Sequence, residues 1–320
     1  MSTLELADVQ AARERIEPYL APTPLRRSYA IPGGAAWLKL ECWQPTGSFK
    51  VRGAINILSS LSADEAERGV VAASAGGHAL GVAHAAQALG GRIAATLFVP
   101  TSAPRVKLAK LRSFPVTVHE VGETYDAAHA AALEHASRHG ATYVHAFDDP
   151  RTAAGQGTIG LELLEQLPDV GAILVPVGGG GLIAGIATVI KALAPHVKIV
   201  GVQPDASPSL PESIARGRPL LEFPAGPTIA DAIAGGIGEI VFAHRHLIDE
   251  VVIVEESEIE DAVVAALAQD QVVAEGSAAV GIAALRSGRV SPPPGRPVAV
   301  VVTGGNIDAS VLKRLLTSRA

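Results

Sequence analysis

The chain is 320 residues long and carries 26 Lys and Arg against 32 Asp and Glu, a net charge of −6, and that length suffices for a full core and a cleft. Mild acidity excludes the basic face that nucleic acid or an anionic membrane surface demands, and a composition 48% hydrophobic and 18% charged excludes a disordered chain. The single cysteine, Cys42, excludes an internal disulfide and a cysteine-built zinc site, which fits a reducing cytoplasm.

The acidic start, Met1-Ser-Thr-Leu-Glu-Leu-Ala-Asp8, lacks the basic and apolar regions of a signal peptide. No run approaches the roughly 18 apolar residues of a membrane span. Short β-branched runs then alternate with Ala-rich segments of helical period, the pattern of an α/β protein with parallel sheets. Strands are expected at Trp37–Leu40, Val70–Ala73, Ala94–Val99, Val116–Val118, Thr142–His145, Ala172–Pro176, Lys198–Val202, Val251–Val254 and Pro297–Val302. Helices are expected at Ser48–Ser60, Gly77–Leu89, Ala103–Leu111, Thr124–His139, Ala153–Leu167, Gly181–Leu193, Glu258–Gln269, Ser277–Arg286 and Asp308–Leu316. Such strands could form one wide sheet or two smaller ones, and the alternation does not choose. Ser207–Pro211 and Arg218–Pro227 read as Pro-punctuated surface loops, and Ser291–Gly295 as a turn.

In Glu41-Cys-Trp-Gln-Pro-Thr-Gly-Ser-Phe-Lys-Val-Arg-Gly53 a lysine stands in the first turn of an expected helix, with Ser48 as N-cap. The helix dipole opposes a positive charge there, and Phe49 and Val51 flank it with apolar surface. Both effects depress the pKa of Lys50, as an amine needs before it attacks a carbonyl. On the box alone, an ordinary surface lysine is the slightly favoured reading.

Ala172-Ile-Leu-Val-Pro-Val177 runs into Gly178-Gly-Gly-Gly181 and then an apolar helix. Bare backbone N–H groups at a helix start suit a phosphate. One or two glycines would serve a tight turn, whereas four favour the anion. Gly179-x-Gly181-x-x-Ala184 also satisfies a dinucleotide fingerprint, with Asp205 placed for a ribose, so a nicotinamide oxidoreductase competes. A phosphate cradle together with a Schiff-base lysine instead implies one cofactor bearing a phosphate and an aldehyde, pyridoxal 5′-phosphate (PLP).

The motifs Gln44–Ala54, Ser74–Ala83, Asp148-Asp-Pro150, Ala154–Thr158, Val175–Gly185, Gly201–Pro204 and Val302–Asp308 occur in order. As a set they resemble the threonine/serine dehydratases, fold-type II PLP enzymes related to serine racemase and the tryptophan synthase β subunit. The resemblance implies a two-lobed α/β fold of parallel-rich sheets flanked by helices. Residues 1–47 and 146–320 would form the larger cofactor-binding lobe and residues 48–145 the smaller. It implies that Lys50 holds the aldehyde and, once freed, abstracts the substrate Cα proton, with Phe49 against the ring. Gly178, Gly179, Gly180 and Gly181 would cradle the phosphate. Ser74, Ala75, Gly76, Gly77 and His78 would bind the substrate carboxylate, with Ser74 contributing its hydroxyl. Thr303 would face the pyridine nitrogen, and a hydroxyl there favours prompt loss of a β-substituent over transamination.

Three positions depart from the family. Gly77 replaces an asparagine that contacts the ring oxygen, and Ala75 replaces the second, racemising base of serine racemase. Gln203, Ser207 and Ser209 stand where a divalent metal would need carboxylates, so no metal is expected. Glu275 resembles a glutamate near the cofactor and equally suits a helix start. His78 is read as a loop histidine satisfied by backbone rather than a proton carrier. His84, His129, His135 and His139 are read as surface or half-buried helical residues without partners at matching spacing, Asp148–Pro150 as a turn and helix cap, and Cys42 as a packing residue.

The implied activity is β-elimination of water from a β-hydroxy-L-amino acid, threonine or serine by default, giving a 2-oxo acid and ammonia. The alternatives are a racemase, a dehydratase for a bulkier substrate, a nicotinamide enzyme, or a degenerate PLP-binding protein. The family implies a cytoplasmic homodimer or homotetramer acting on a small amino acid, with no nucleic-acid or membrane partner. With 17 residues after Thr303, no regulatory domain is expected.

Overall fold

The structure, a computed structural model, describes residues 4–319 except Ala75 and Pro104, with only the backbone of residues 106 and 107. In chain order the strands are β1 (Leu25–Arg27), β2 (Ala36–Leu40), β3 (Val70–Ala73), β4 (Ala95–Val99), β5 (Thr117–Glu120), β6 (Thr142–Tyr143), β7 (Ala172–Pro176), β8 (Lys198–Pro204), β9 (Glu250–Val254) and β10 (Val298–Val302). The first helices are α1 (Leu6–Ile16), α2 (Lys50–Ser59), α3 (Ala63–Arg68), α4 (Gly77–Ala88), α5 (Arg105–Leu111), α6 (Tyr125–His139) and α7 (Pro150–Gln166). The remainder are α8 (Gly181–Leu193), α9 (Ser209–Arg216), α10 (Glu239–Ala243), α11 (Glu256–Asp270), α12 (Gly276–Arg286) and α13 (Ala309–Arg319).

The strands divide into two sheets, ordered β1-β2-β10-β7-β8-β9 and β5-β4-β3-β6, parallel throughout except for the β1–β2 pair. Parallel strands covered on both faces read as unbroken apolar runs, and all of β7 and β10 is buried. Successive side chains alternate faces. Ala299 and Val301 pack with α1, α7 and α8, while Val298, Val300 and Val302 pack with α11 and α12. In the smaller sheet Val70 and Ala72 face α2 and α4, and Val71 and Ala73 face α6. One apolar cluster therefore runs from the first sheet through α7, α2 and α4 to the second.

Several expectations are corrected. The strand β1 is an antiparallel edge of only three residues, two of them arginine, with no apolar run to announce it. Helix α1 carries buried Val9, Ala12 and Ile16 at helical spacing within a charged stretch. Ser207–Pro211 is no surface loop: Ser207 and Ser209 are fully buried, and α9 starts there. His84, His129 and His135 are half-buried and His139 is exposed, as expected; His129 contacts Tyr125, Tyr143 and His145, and the rings of His135 and His139 lie 4.3 Å apart. Asp149 caps α7 as expected, accepting the Arg151 N–H at 2.7 Å ahead of Pro150 in the first turn.

Candidate active site

After β2, a 3₁₀ turn at Glu41–Trp43 and a tight turn closed by Gly47 N–H donating to Gln44 O (2.7 Å) bring the chain back beside the end of β10. Ser48 bridges to Gly304, and Phe49 N–H donates to Thr303 O at 3.0 Å. Helix α2 then begins at Lys50. Phe49, rather than Ser48, holds the N-cap position, and Ser48 Oγ accepts the Lys50 N–H at 3.2 Å.

The half-buried Lys50 donates Nζ–H to Ala146 O at 2.9 Å and lies 5.1 Å from the centre of the Phe49 ring. Burial pushes its pKa down to about 8, only partly opposed by the Glu275 carboxylate. The fold therefore disfavours the charged amine, and the unfolded chain holds more protons between pH 8 and the ordinary 10.5. Stability must rise with pH across that window, by on the order of 3 kcal/mol from this group. Urea unfolding of the cofactor-free protein should show that rise, and Lys50→Met should flatten it. Parallel pH curves for the two proteins would count against the depressed pKa.

The glycine run enters α8 from β7, with Gly180 in a left-handed conformation (φ 91°) at the N-cap. Packing demands all four glycines, a correction to the expectation of one or two. A Cβ would stand 2.2 Å from the Phe147 ring on Gly179, 2.3 Å from Val241 on Gly180 and 2.4 Å from Phe147 O on Gly181. On Gly178 it would stand 3.0 Å from Ile233 Cα. What points to an anion is instead that the N–H groups of Gly178 to Leu182 have no acceptor among the described residues.

The segment His145–Asp148 couples the two features. Ala146 O receives the Lys50 amine and Phe147 underlies the glycines. His145 Nδ1 accepts the Asp148 N–H at 2.9 Å and Asp148 Oδ1 accepts the Ile240 N–H at 2.9 Å, which fixes the segment. Neither Ala146 nor Phe147 stood out in the sequence, because their roles are a backbone carbonyl and a contact.

At the start of α4, Ser74 Oγ accepts the Gly76 N–H at 3.0 Å, and Gly76 is the N-cap. Ala75 lies outside the described residues. The N–H groups of Gly77, His78 and Ala79 have no acceptor among the described residues. A Cβ on Gly77 would stand 2.9 Å from Ser48 Oγ and 3.8 Å from Lys50 Cγ, so this loop borders the lysine. His78 is buried within the first turn of α4, not in a loop, and its Nε2–H donates to Val144 O at 2.9 Å. Burial, helped by the nearby Lys50 charge, pushes its pKa down to about 3, so it stays neutral at physiological pH with its one ring proton given to Val144 O.

Thr303 is buried at the end of β10, and its hydroxyl has no partner among the described residues. Glu275 precedes α12, with Oε1 2.3 Å from where a Cβ on Gly304 would lie. Gln203 spans two elements, donating Nε2–H to Val177 O (3.0 Å) and to Ser209 Oγ (3.1 Å), while its Oε1 accepts the Leu210 N–H. Ser207 Oγ accepts the Gly235 N–H at 2.9 Å. Burial, then the Glu41 carboxylate, pushes the Cys42 thiol up to about 12, leaving it a packing residue.

Residues 16–304 match the family described as pyridoxal-phosphate dependent enzyme, and the chain belongs to that family. An L-threonine ammonia-lyase of Thermotoga maritima is 45% identical over 321 residues, 99% of this chain and 78% of the relative. Another, of Geobacter sulfurreducens, is 44% identical over 310 residues, 95% of this chain and 76% of the relative. The solved structure of maize serine racemase superposes with a TM-score of 0.91 at 31% identity, covering 99% of this chain and 98% of that one. Family membership decides the cofactor in favour of PLP over a nicotinamide dinucleotide.

Proposed function

We propose that this protein is a PLP-dependent ammonia-lyase that removes water from L-threonine, and from the smaller L-serine, releasing a 2-oxo acid and ammonia. The observation that carries the assignment is one loop holding an amine of lowered pKa at Ala146 and a set of unpaired helix-start N–H groups at Phe147. Together with the Thr303 hydroxyl, which has no partner among the described residues, these groups fit PLP. When bound, PLP supplies an aldehyde and a ring that accepts electrons from the substrate Cα.

Lys50 Nζ would hold the aldehyde and, when free, would take the Cα proton. The Gly178–Gly181 N–H groups would hold the phosphate, with Phe49 available to the ring. Thr303 Oγ1 would offer the ring nitrogen a hydroxyl, which is too weak an acid to keep it protonated. Ser74, residue 75, Gly76, Gly77 and the His78 N–H orient the substrate carboxylate so that the Cα–H bond faces Lys50. A racemase needs a second proton carrier on the opposite face, and the sequence offers alanine at position 75 and a neutral His78. The two relatives named as L-threonine ammonia-lyases support threonine as substrate.

The test is 2-oxo acid release from L-threonine and L-serine, with chiral analysis of the remaining amino acid. Elimination without loss of enantiomeric purity is expected, whereas D-amino acid without 2-oxo acid would overturn the assignment. Thr303→Ala should lower kcat roughly tenfold, since it removes one hydrogen bond to the ring, while the protein stays folded by circular dichroism. Unchanged kcat would remove Thr303 from the site.

The lobes are assigned as residues 1–47 with 146–320 and residues 48–145, supported by the smaller sheet falling wholly in the latter span. A cytoplasmic homodimer or homotetramer is supported by a lone buried cysteine and by Tyr29 and Trp43, 72% and 50% exposed. Light scattering reads the assembly. Among the described residues, no helix is long and apolar enough to cross a membrane.

A further inference from the structure

Arg52 is 1% exposed, and all five of its N–H groups are engaged. Nε and Nη2 donate to the two oxygens of Glu41, both at 2.8 Å. Nη1 donates to Glu162 Oε1 (2.6 Å) and Thr158 Oγ1 (3.1 Å), and Nη2 also donates to Glu162 Oε2 at 3.0 Å. The buried Lys39 pairs with Glu162, so two cations and two carboxylates balance. Burial acts to raise the Glu41 carboxyl, but the guanidinium outweighs it and holds that group below its ordinary value.

The anchors belong to different elements: Glu41 to the turn after β2, Thr158 and Glu162 to α7. Helix α2 crosses α7 at Gly53 and Gly155, where a Cβ on Gly155 would stand 2.7 Å from Gly53 Cα. Thr152 and Gln156 border Gly53 at that crossing, and Asn56 Nδ2–H donates to Arg151 O at 2.7 Å, so α2 is held to α7; Arg52 adds a tie from α2 to the turn after β2 as well as to α7. Residues two apart lie roughly 200° apart around a helix, which puts Arg52 on the side opposite Lys50. A rotation of α2 by about 20° would move a point at side-chain radius by about 2 Å.

We propose that Arg52 is a positioning residue for Lys50: its fixed guanidinium sets the rotation of α2 and thereby the place where the amine enters the cleft, an inference that rests on Lys50 being the aldehyde-holding amine. A fork that spans two carboxylates cannot be replaced by a point charge. Arg52→Lys keeps the charge balance but cannot reach both Glu41 and Glu162. Thr158→Val leaves every ion pair intact and removes one Arg52 acceptor together with that hydroxyl's donation to Gly155 O at 2.7 Å.

In cofactor-free protein, PLP with a borohydride reductant labels Lys50, and peptide mass spectrometry follows the labelling against pH. Arg52→Lys should lower Lys50 labelling at pH 7.5 at least tenfold and move the midpoint of the profile upward from about 8, with labelling of the exposed Lys198 unchanged. Thr158→Val should shift both readings the same way by less. Profiles identical to wild type in the folded variants, even with lower melting temperatures, would reduce Arg52 to a structural residue and overturn the proposal. Where Arg52→Lys does not fold, Thr158→Val alone decides. A wild-type Lys50 that takes no label would sink the role of Lys50 itself, whereas equal labelling in all three proteins would sink only that of Arg52.

Discussion

Lys50→Ala is expected to abolish the visible absorption of the PLP-loaded protein and to lower 2-oxo acid release by roughly a thousandfold or more, because one amine both anchors the cofactor and moves the proton. The loss should not be a folding defect. Removing a half-buried amine of lowered pKa relieves a desolvation cost, so the variant should unfold at the same urea concentration or higher at neutral pH. Lys191→Ala is the control, because that lysine pairs with Asp249 and the Val197 carbonyl, away from the lysine box. Retained colour and turnover in Lys50→Ala would move the chemistry to another lysine.

The second large effect belongs to Gly180→Ala. A methyl group there meets two penalties: a backbone at φ 91°, which L-residues avoid, and a Cβ 2.3 Å from Val241. Strain and overpacking together should cost roughly 2–5 kcal/mol of stability. The displaced loop would also turn its N–H groups off a common centre. PLP affinity, measured by absorption titration of the cofactor-free protein, should fall at least tenfold, and free pyridoxal, which lacks the phosphate, should bind the variant and the wild type alike. Equal loss for both ligands would mean that the loop supports the fold without gripping the anion.

Much of the scaffold could be read in advance. Parallel strands covered on both faces leave unbroken apolar runs such as Ala172–Pro176 and Val298–Val302, and both are strands. A lysine amid Phe49 and Val51 at a helix start was ambiguous by itself and gained meaning only beside the glycine run. Features carried by few or polar residues were hidden. Leu25–Arg27 pairs only at an edge, and Ser62 with Glu65 forms a capping box for α3 whose six residues include none that is buried. The Arg52 cluster was illegible for a different reason: its carboxylates lie 11 and 110 positions away, and only the closed fold brings them to one guanidinium. At the glycine run, packing and anion binding make overlapping demands. Four glycines suggested an anion, yet Phe147, Val241 and Ile233 account for each of them by packing, and the unpaired N–H groups carry the weight.

Ala146 and Phe147 are consecutive; the first receives the Lys50 amine and the second underlies the glycine turn. A substitution that shifts this one peptide unit would therefore disturb both places together, so damage at one should be coupled to damage at the other.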